Sequence, residues 1–223
     1  MRNFWLIIVG FFVIIIMPID AIGAEKPIVV LTWKTETYAP AWYTGKTLPT
    51  VNSSIRVFAS ILDGGKFKSV SGETTYWYLD DELLENGSGV QSITFNPIET
   101  GEHKIRLQLP NYPGGQIIKT INIPVVDVRV VPQAPWPEGI FSILNPTIKA
   151  NAFFFNTTKS ADLVFNWTVN GQAPKNNANP DMLTINLDPK TIIGTKLEVS
   201  LSASNLVRPK EKASKSTGII FKR

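Results

Sequence analysis

The chain has 223 residues, of which 43% are hydrophobic and 18% charged, with a formal net charge of +4. This composition excludes a disordered chain of one charge sign, and the length suits two domains of roughly 100 residues each. Cysteine is absent, so a folded domain here is held by its core alone, and thiolate nucleophiles and cysteine-based zinc sites are excluded.

The chain begins with a segment typical of export. Arg2 precedes an apolar run of about 14 residues from Phe4 to Met17, shorter than the roughly 20 residues of a membrane-spanning helix. The small residues around Gly23 and Ala24 suit cleavage after either one. We therefore predict a helical signal peptide over residues 1–24 and an extracytoplasmic mature chain. The alternative is a short uncleaved anchor, which would be the only link to a membrane.

The rest of the sequence has the two-residue period of half-buried β-strands. Ile55, Val57, Ala59 and Ile61 occupy alternate positions in one segment, and they predict one apolar face. Glycine, proline and asparagine cluster between such segments, and sustained helical periodicity is absent. The pattern predicts an all-β fold.

Two tryptophan-bearing strands, about 90 residues apart, indicate an internal repeat. Tyr76–Asp81 aligns with Asn166–Gly171, and a repeat of this period indicates duplicated domains. We predict domains at 25–126 and 127–223, joined by a restrained hinge. The expected alignment of the flanking strands pairs Ile55, Val57 and Ala59 with Ile148, Ala150 and Ala152, Ile93 with Ile185, and Ile105, Leu107 and Leu109 with Leu197, Val199 and Leu201.

About seven short strands per repeat, with a tryptophan on the third main strand, are typical of an immunoglobulin-like β-sandwich. Because the usual disulfide is absent, each tryptophan must pack against aliphatic side chains. The predicted core includes Trp77, Trp167, Ile105, Leu107, Leu197 and Val199.

At the Trp77 and Trp167 strands, each followed by a polar turn, the chain resembles polycystic-kidney-disease-type (PKD-like) and other bacterial immunoglobulin-like domains of surface proteins. A narrower resemblance is to exported two-domain proteins of ultra-small candidate-phylum bacteria. It covers nearly the whole mature chain, through short motifs: Leu31–Trp33, Thr37–Pro40, Gly45–Pro49 and Ala150–Phe155. The resemblance implies a surface or envelope location and brings no biochemical activity. Asp80–Asp81 departs from the Asn-Gly or Asp-Gly usual at this turn.

Catalytic groups are scarce. His103 is the single histidine, and the repeat places it level with Thr195 or Lys196, where we expect a solvated strand residue. A nucleophilic triad needs a positioned base and a nucleophile elbow, and a catalytic zinc site needs several histidines or cysteines. We predict no catalytic residue, no cofactor and no metal site.

The densest acidic cluster follows the first tryptophan strand and comprises Asp80, Asp81, Glu82 and Glu85. We expect a solvated loop there. Hydrolysis by paired carboxylates and calcium binding remain alternatives. Calcium is opposed by the absence of the regular DxDxDG spacing and by Asn170–Gln172, which lacks the acids.

Two groups of surface residues are candidates for binding. Arg208, Lys210 and Lys212 lie before the last strand of the second repeat, which has twelve Lys and Arg against seven Asp and Glu. They form either a solvated hairpin or a surface for anionic envelope polymers or lipid headgroups. Without interleaved aromatic residues, they do not indicate nucleic-acid binding.

The second group is aromatic, comprising Trp42, Tyr43 and Trp136 in proline-rich segments. These rings either cap a sandwich or form a surface for sugars or proteins. The sequence therefore predicts a non-catalytic cell-surface or envelope interaction protein, whose partner is an extracytoplasmic protein or an envelope glycan. The alternatives are a rigid structural spacer and an accessory carbohydrate-active or hydrolytic protein.

Overall fold

The computed structural model describes residues 26–174 and 179–222, and the predicted signal peptide lies outside them. Within those ranges, fifteen strands and two single 3-10 turns build two β-sandwiches in tandem. The first sandwich contains β1 (Ile28–Thr35), β2 (Ile55–Asp63), β3 (Lys66–Lys68), β4 (Thr74–Leu79), β5 (Glu82–Ser88), β6 (Ser92–Phe95), β7 (Gly101–Leu109) and β8 (Ile117–Val125). The second contains β9 (Arg129–Gln133), β10 (Ile140–Phe141), β11 (Thr147–Phe153), β12 (Leu163–Val169), β13 (Met182–Thr184), β14 (Lys196–Asn205) and β15 (Lys212–Phe221). The turns are Pro137–Gly139 and Ser160–Asp162.

Each sandwich has two sheets with a core between them. In the first, β2 pairs with β1, β3 and β6, and the facing sheet has the order β5-β4-β7-β8. In the second, the sheets have the orders β13-β11-β9 and β10-β15-β14-β12. All pairs are antiparallel except β10 with β15. These all-β, immunoglobulin-like sheets agree with the predicted fold class. No helix among the described residues has the length and apolar character needed to cross a bilayer.

One indole lies at the centre of each core and also makes a hydrogen bond. Trp77 and Trp167 are 0% and 3% exposed, and each lies opposite a leucine of the neighbouring strand, Leu107 or Leu201. The Nε1–H of Trp77 donates to the Val90 carbonyl at 3.0 Å, and that of Trp167 donates to the Pro180 carbonyl at 3.0 Å. Both acceptors follow their tryptophan by 13 residues. The repeat is therefore preserved in the hydrogen bond that joins the strand to the following segment.

The strands that flank each tryptophan strand also match between the two sandwiches, but their alignment is shifted by two residues from the expected one. Trp77 pairs with Leu107 and Trp167 pairs with Leu201, so Leu107 matches Leu201 and not Val199. The N–H of Ala59 donates to the Gln91 carbonyl, as that of Ala150 does to the Asp181 carbonyl.

Ala59 therefore matches Ala150 and not Ala152. Val57 pairs with Ile93 while Ile148 pairs with Leu183, so Ile93 matches Leu183 and not Ile185. A shift of two residues keeps the same side chains facing inward, and alternation alone does not detect it.

The turn after each tryptophan strand has the same geometry despite the different residues. Asp80 and Asp81 have φ of 48° and 70°, and Asn170 and Gly171 have φ of 49° and 77°. A side-chain oxygen of Asp80 accepts a hydrogen bond from the Lys104 N–H at 2.7 Å, and Asn170 accepts one from the Glu198 N–H at 2.8 Å. The Asp80 carboxylate thus replaces the asparagine side chain that stabilises such left-handed turns.

The expectation that His103 is solvated was wrong. In the corrected register it occupies the position of Leu197, on the inward face of its strand, and it is 7% exposed. Its Nδ1 lies 2.7 Å from Asp80 Oδ2, and its Nε2 lies 3.2 Å from the Glu99 carbonyl oxygen. Burial lowers the pKa of His103, but the hydrogen bonds to Asp80 and Glu99 and their negative charges outweigh it, so the pKa is raised above 6.5. Both ring nitrogens thus donate in the protonated form.

The acidic cluster is only partly a loop. Asp80 and Asp81 form the turn, but Glu82 and Glu85 belong to β5, an exposed edge strand that pairs with β4. The expected solvated loop is therefore a β-hairpin with exposed acidic side chains.

We expect Trp77→Ala and Trp167→Ala each to lower the free energy of unfolding of the affected sandwich by about 3 to 5 kcal/mol, because truncation leaves a cavity between the sheets. Denaturant unfolding of residues 25–223 measures the effect. Phe67→Ala, at a side chain that is 71% exposed, serves as the control and should change stability by about 0.5 kcal/mol or less. An unchanged midpoint for both core variants would contradict the packing described here.

The raised pKa of His103 predicts a stabilising contribution that is complete below its ordinary value of 6.5 and is lost as the pH rises through the folded-state pKa. Asp80→Asn should preserve the turn, as Asn170 does, while removing the charge that favours the imidazolium. Because the chain has one histidine, its NMR titration is unambiguous. We expect Asp80→Asn to lower the pKa of His103, and an equal or higher value in the variant would refute the pairing.

Candidate functional site

The loop between β1 and β2, residues 36–54, leaves the first sandwich and contacts the second, and we call it the crossing loop. The N–H of Tyr38 donates to the Phe155 carbonyl at 2.7 Å, and the N–H of Phe154 donates to the Tyr38 carbonyl at 2.6 Å. These two bonds bridge the loop to the residues just beyond the end of β11. Phe154 adopts a φ of 66° there, an unusual conformation for an aromatic residue that the surrounding contacts hold in place.

Aromatic side chains reinforce this bridge. The ring of Trp42 meets Phe153 edge-on at a centroid distance of 5.9 Å, and Tyr43 meets Phe153 and Phe154 at 5.7 and 6.0 Å. Edge-to-face pairs of this kind contribute about 0.5 to 1.5 kcal/mol each beyond their buried area. The loop therefore covers part of the second sandwich with side chains of the first.

A further hydrogen bond joins the two sandwiches near the linker, where Asn156 Nδ2 donates to the Asn52 carbonyl at 2.9 Å. The loop is also held to its own sandwich, because the N–H of Val126 donates to the Pro49 carbonyl at 2.9 Å. Lys46 Nζ lies 3.5 Å from the centre of the Trp33 ring on β1, and burial lowers the pKa of this ammonium. The junction is thus tied at several points.

A groove of about 550 Å³ lies beside this bridge, and we call it the Trp42 groove. It lies between residues 149–152 of β11, the start of β12 and the segment before β13. Its lining includes Tyr38, Trp42, Lys149, Ser160, Phe165 and Asp181. Trp42 is 55% exposed, whereas Tyr43 is half-buried against the phenylalanines. Among the predicted aromatic residues Trp42, Tyr43 and Trp136, Trp42 is the one whose ring is largely exposed at this groove.

The groove combines apolar rings with both signs of charge. Burial, followed by the negative charge of Asp181, raises the pKa of the Tyr38 hydroxyl, which therefore remains a neutral donor. Lys149 and Ser160 are exposed at its rim, and Asp181 is half-buried. The arrangement offers one flat hydrophobic surface surrounded by hydrogen-bonding groups.

The predicted basic residues lie at a different part of the junction. Arg208, Lys210 and Lys212 line a cleft of about 350 Å³ together with residues 50–52 of the crossing loop and residues 126–128 of the linker. We call this the basic cleft. Sequence reasoning identified the charges, but their position opposite the first sandwich follows only from the tertiary structure.

Trp136 does not join either surface. Its ring packs against Phe141 at a centroid distance of 5.4 Å, and Phe141 in turn contacts Phe221. Trp136 is half-buried at the margin of the second core. The structure thus separates the predicted aromatic set into Trp42 and Tyr43 at the junction and Trp136 away from it.

The acidic residues do not gather into a cation site. Within residues 26–174 and 179–222, no group of three or more histidine, aspartate or glutamate side chains has the geometry to hold a metal ion. Asp80, Glu82 and Glu99 line a cleft with His103. Burial raises the pKa of Asp80, but hydrogen bonds from Lys104 and His103 outweigh it and lower the pKa below its ordinary value. Asp80 is therefore held ionised, with its carboxylate engaged by Lys104 and His103.

Sequence reasoning missed the contribution of the second sandwich to the Trp42 groove. Lys149 and Asp181 come from separate segments, and no local pattern marks them. The run Phe153–Phe155 was an available signal, because three consecutive aromatic residues break the alternation of a half-buried strand. Such a run indicates burial by something beyond the strand's own sandwich.

Comparisons with known proteins give fold-level similarity only. No protein-family model matches the sequence, and no curated protein sequence matches it. Three N-terminal domains of the outer capsid protein Hoc of bacteriophage RB49 are 14% identical and cover 88% of this chain and 59% of that chain, with a TM-score of 0.46.

Fibronectin(III)-like modules of Clostridium thermocellum CbhA are 14% identical over 87% of this chain and 94% of that chain, with a TM-score of 0.30. Tandem Ig repeats of Dlar are 13% identical over 89% and 99%, with a TM-score of 0.28. The immunoglobulin-like assignment of this chain rests on its own strand pairing and cores, and its narrower resemblance to candidate-phylum proteins stays a prediction.

Proposed function

We propose that the mature chain is an exported, non-catalytic interaction protein of two immunoglobulin-like domains, residues 25–126 and 127–223, which binds an envelope glycan in the Trp42 groove. The observation that carries this proposal is the exposed indole of Trp42, held at a groove by its contact with Phe153. Tyr43 and Phe153 beside it are half-buried and Phe154 is buried, so Trp42 is the ring of this group left exposed, as expected for a surface that binds a ligand.

The chemistry of the groove suits a sugar better than a large protein partner. Sugars present an apolar face of C–H groups and a rim of hydroxyls, and the groove supplies one flat ring beside Lys149, Ser160 and Asp181. Such an arrangement satisfies hydroxyl groups while the ring covers the C–H face. The contacts of Tyr38 and Tyr43 with the second sandwich fix the position of the ring before a ligand arrives, which reduces the ordering cost of binding.

Trp42→Ala should weaken glycan binding by about five- to tenfold, the loss expected for one aromatic contact of about 1 kcal/mol. Isothermal titration with soluble peptidoglycan fragments and with cello-oligosaccharides would measure the affinity of residues 25–223. Phe67→Ala is the matched control, because Phe67 is 71% exposed and lies on β3 of the first sandwich.

Binding that survives Trp42→Ala unchanged would refute the proposal, as would the absence of binding to both kinds of glycan. A crystal structure of a complex in which a protein partner, and not a glycan, covers Trp42 would also overturn it.

A second candidate function, a rigid spacer of the envelope, is favoured by the number of contacts at the junction. The bonds of Tyr38 and Asn156 and the aromatic contacts of Phe153 connect the two sandwiches and restrict rotation about the linker. A spacer holds other groups at a fixed distance and needs no ligand of its own. The two functions are compatible, because a fixed junction also presents the Trp42 groove.

The double variant Tyr43→Ala and Phe153→Ala removes the edge-to-face contacts and should broaden the distribution of distances between the two sandwiches. Small-angle X-ray scattering from residues 25–223 would detect this as a larger and more variable maximum dimension. Phe67→Ala should leave the scattering unchanged. Identical curves for the double variant and the unaltered chain would argue against a role of these rings in fixing the junction.

A further inference from the structure

The basic cleft is lined by three cationic side chains, and the carboxylate next to them in sequence is hydrogen-bonded to uncharged groups. Arg208, Lys210 and Lys212 are exposed, and none forms a salt bridge with another described residue. Glu211, the only acid in the loop of residues 206–211 between β14 and β15, is half-buried and hydrogen-bonded through both carboxylate oxygens. Its Oε1 accepts a hydrogen bond from the Asn156 N–H at 2.8 Å, and its Oε2 accepts one from Asn205 Nδ2 at 2.7 Å.

The hairpin that bears these cations is held in one conformation. The N–H of Glu211 donates to the Arg208 carbonyl at 2.8 Å, and the N–H of Leu206 donates to the Asp162 carbonyl at 2.8 Å. Asn205 Oδ1 accepts from the Val207 N–H at 3.0 Å. The backbone that carries the cations is therefore held beside the cleft before a ligand arrives.

The cleft continues along the second sandwich. A neighbouring groove of about 400 Å³ shares Val128 with the basic cleft and runs between β9 and β15, where it is lined by Arg129 and Lys215. Five cations therefore follow one continuous track, and Asp127 is the one carboxylate of its lining other than Glu211. A track of this kind matches an extended anion with several charges better than a single small anion.

One residue that lines the cleft has an unsatisfied polar atom. Thr50 is 3% exposed, and its Oγ1 has no hydrogen-bond partner among the described residues. A buried hydroxyl without a partner costs about 1 to 3 kcal/mol.

We propose that the basic cleft and the adjoining β9–β15 groove form a binding site for a linear polyanion, a polymer with repeating anionic groups. The cations attract the chain over a distance of about one Debye length, roughly 8 Å at physiological ionic strength. The polymer lies along the track with its anionic groups beside Arg208, Lys210 and Lys212 and continues toward Arg129 and Lys215. This site is separate from the Trp42 groove and does not depend on glycan binding there.

The test uses fluorescently labelled inorganic polyphosphate as the probe and residues 25–223 as the protein, at a series of NaCl concentrations. The triple variant Arg208→Gln, Lys210→Gln and Lys212→Gln should reduce the affinity about tenfold or more. It should also reduce the magnitude of the slope of log affinity against log salt concentration by about two to three, because fewer counterions are released on binding.

The matched control is Lys190→Gln, Lys196→Gln and Lys222→Gln, which removes the same charge from exposed positions elsewhere on the second sandwich. It should change the affinity by less than about threefold and the salt dependence only slightly. All six positions are exposed, and thermal melts are expected to be unchanged in both variants.

Equal losses in the two triple variants would overturn the proposal, because net charge alone would then explain the binding. A second arm uses vesicles containing phosphatidylglycerol, since Leu206 and Val207 are 61% and 72% exposed beside the cations. Binding to these vesicles without binding to polyphosphate would identify a lipid surface and would also overturn it.

Discussion

Both sandwiches depend on a buried indole whose N–H donates to a backbone carbonyl 13 residues further along the chain. Trp77 and Trp167 fill the space between the sheets and pack against aliphatic side chains, where related folds often supply a disulfide for the tryptophan to pack on. The hydrogen bonds to Val90 and Pro180 satisfy the one polar atom of each ring, so burial of the large side chain carries no unpaired donor. The position of each tryptophan strand then fixes the turn that follows and the strand that pairs with it.

The second organising feature is the crossing loop, because it brings the two sandwiches together and creates the surfaces between them. The Trp42 groove lies where the loop meets β11, and the basic cleft lies where the end of the loop meets the β14–β15 hairpin. Neither surface belongs to one sandwich alone. The candidate binding regions therefore follow from the geometry of the junction and not from a site within a single domain.

The sequence was sufficient to predict the fold class, the tryptophan-centred repeat and the alternation of the core strands, because these depend on local periodicity. It was insufficient for register, since a two-residue slip leaves the inward face unchanged. That slip placed His103 among solvated residues, whereas the structure buries it beside Asp80. The same limit applies to the candidate sites. Trp42 and Arg208 were recognisable by type, but their neighbours Asp181 and Thr50 come from distant segments that only the folded chain brings together.

The crossing loop also bears on how such a protein can change over generations. Phe154 is nearly inaccessible to solvent, and the loop that carries Tyr38 and Tyr43 is part of what covers it. If recombination transferred the second sandwich alone into another gene, this ring and Phe153 would lose that cover and expose an apolar patch that favours aggregation. Selection would then keep the two sandwiches together as one unit, in contrast to repeat proteins whose domains are exchanged singly.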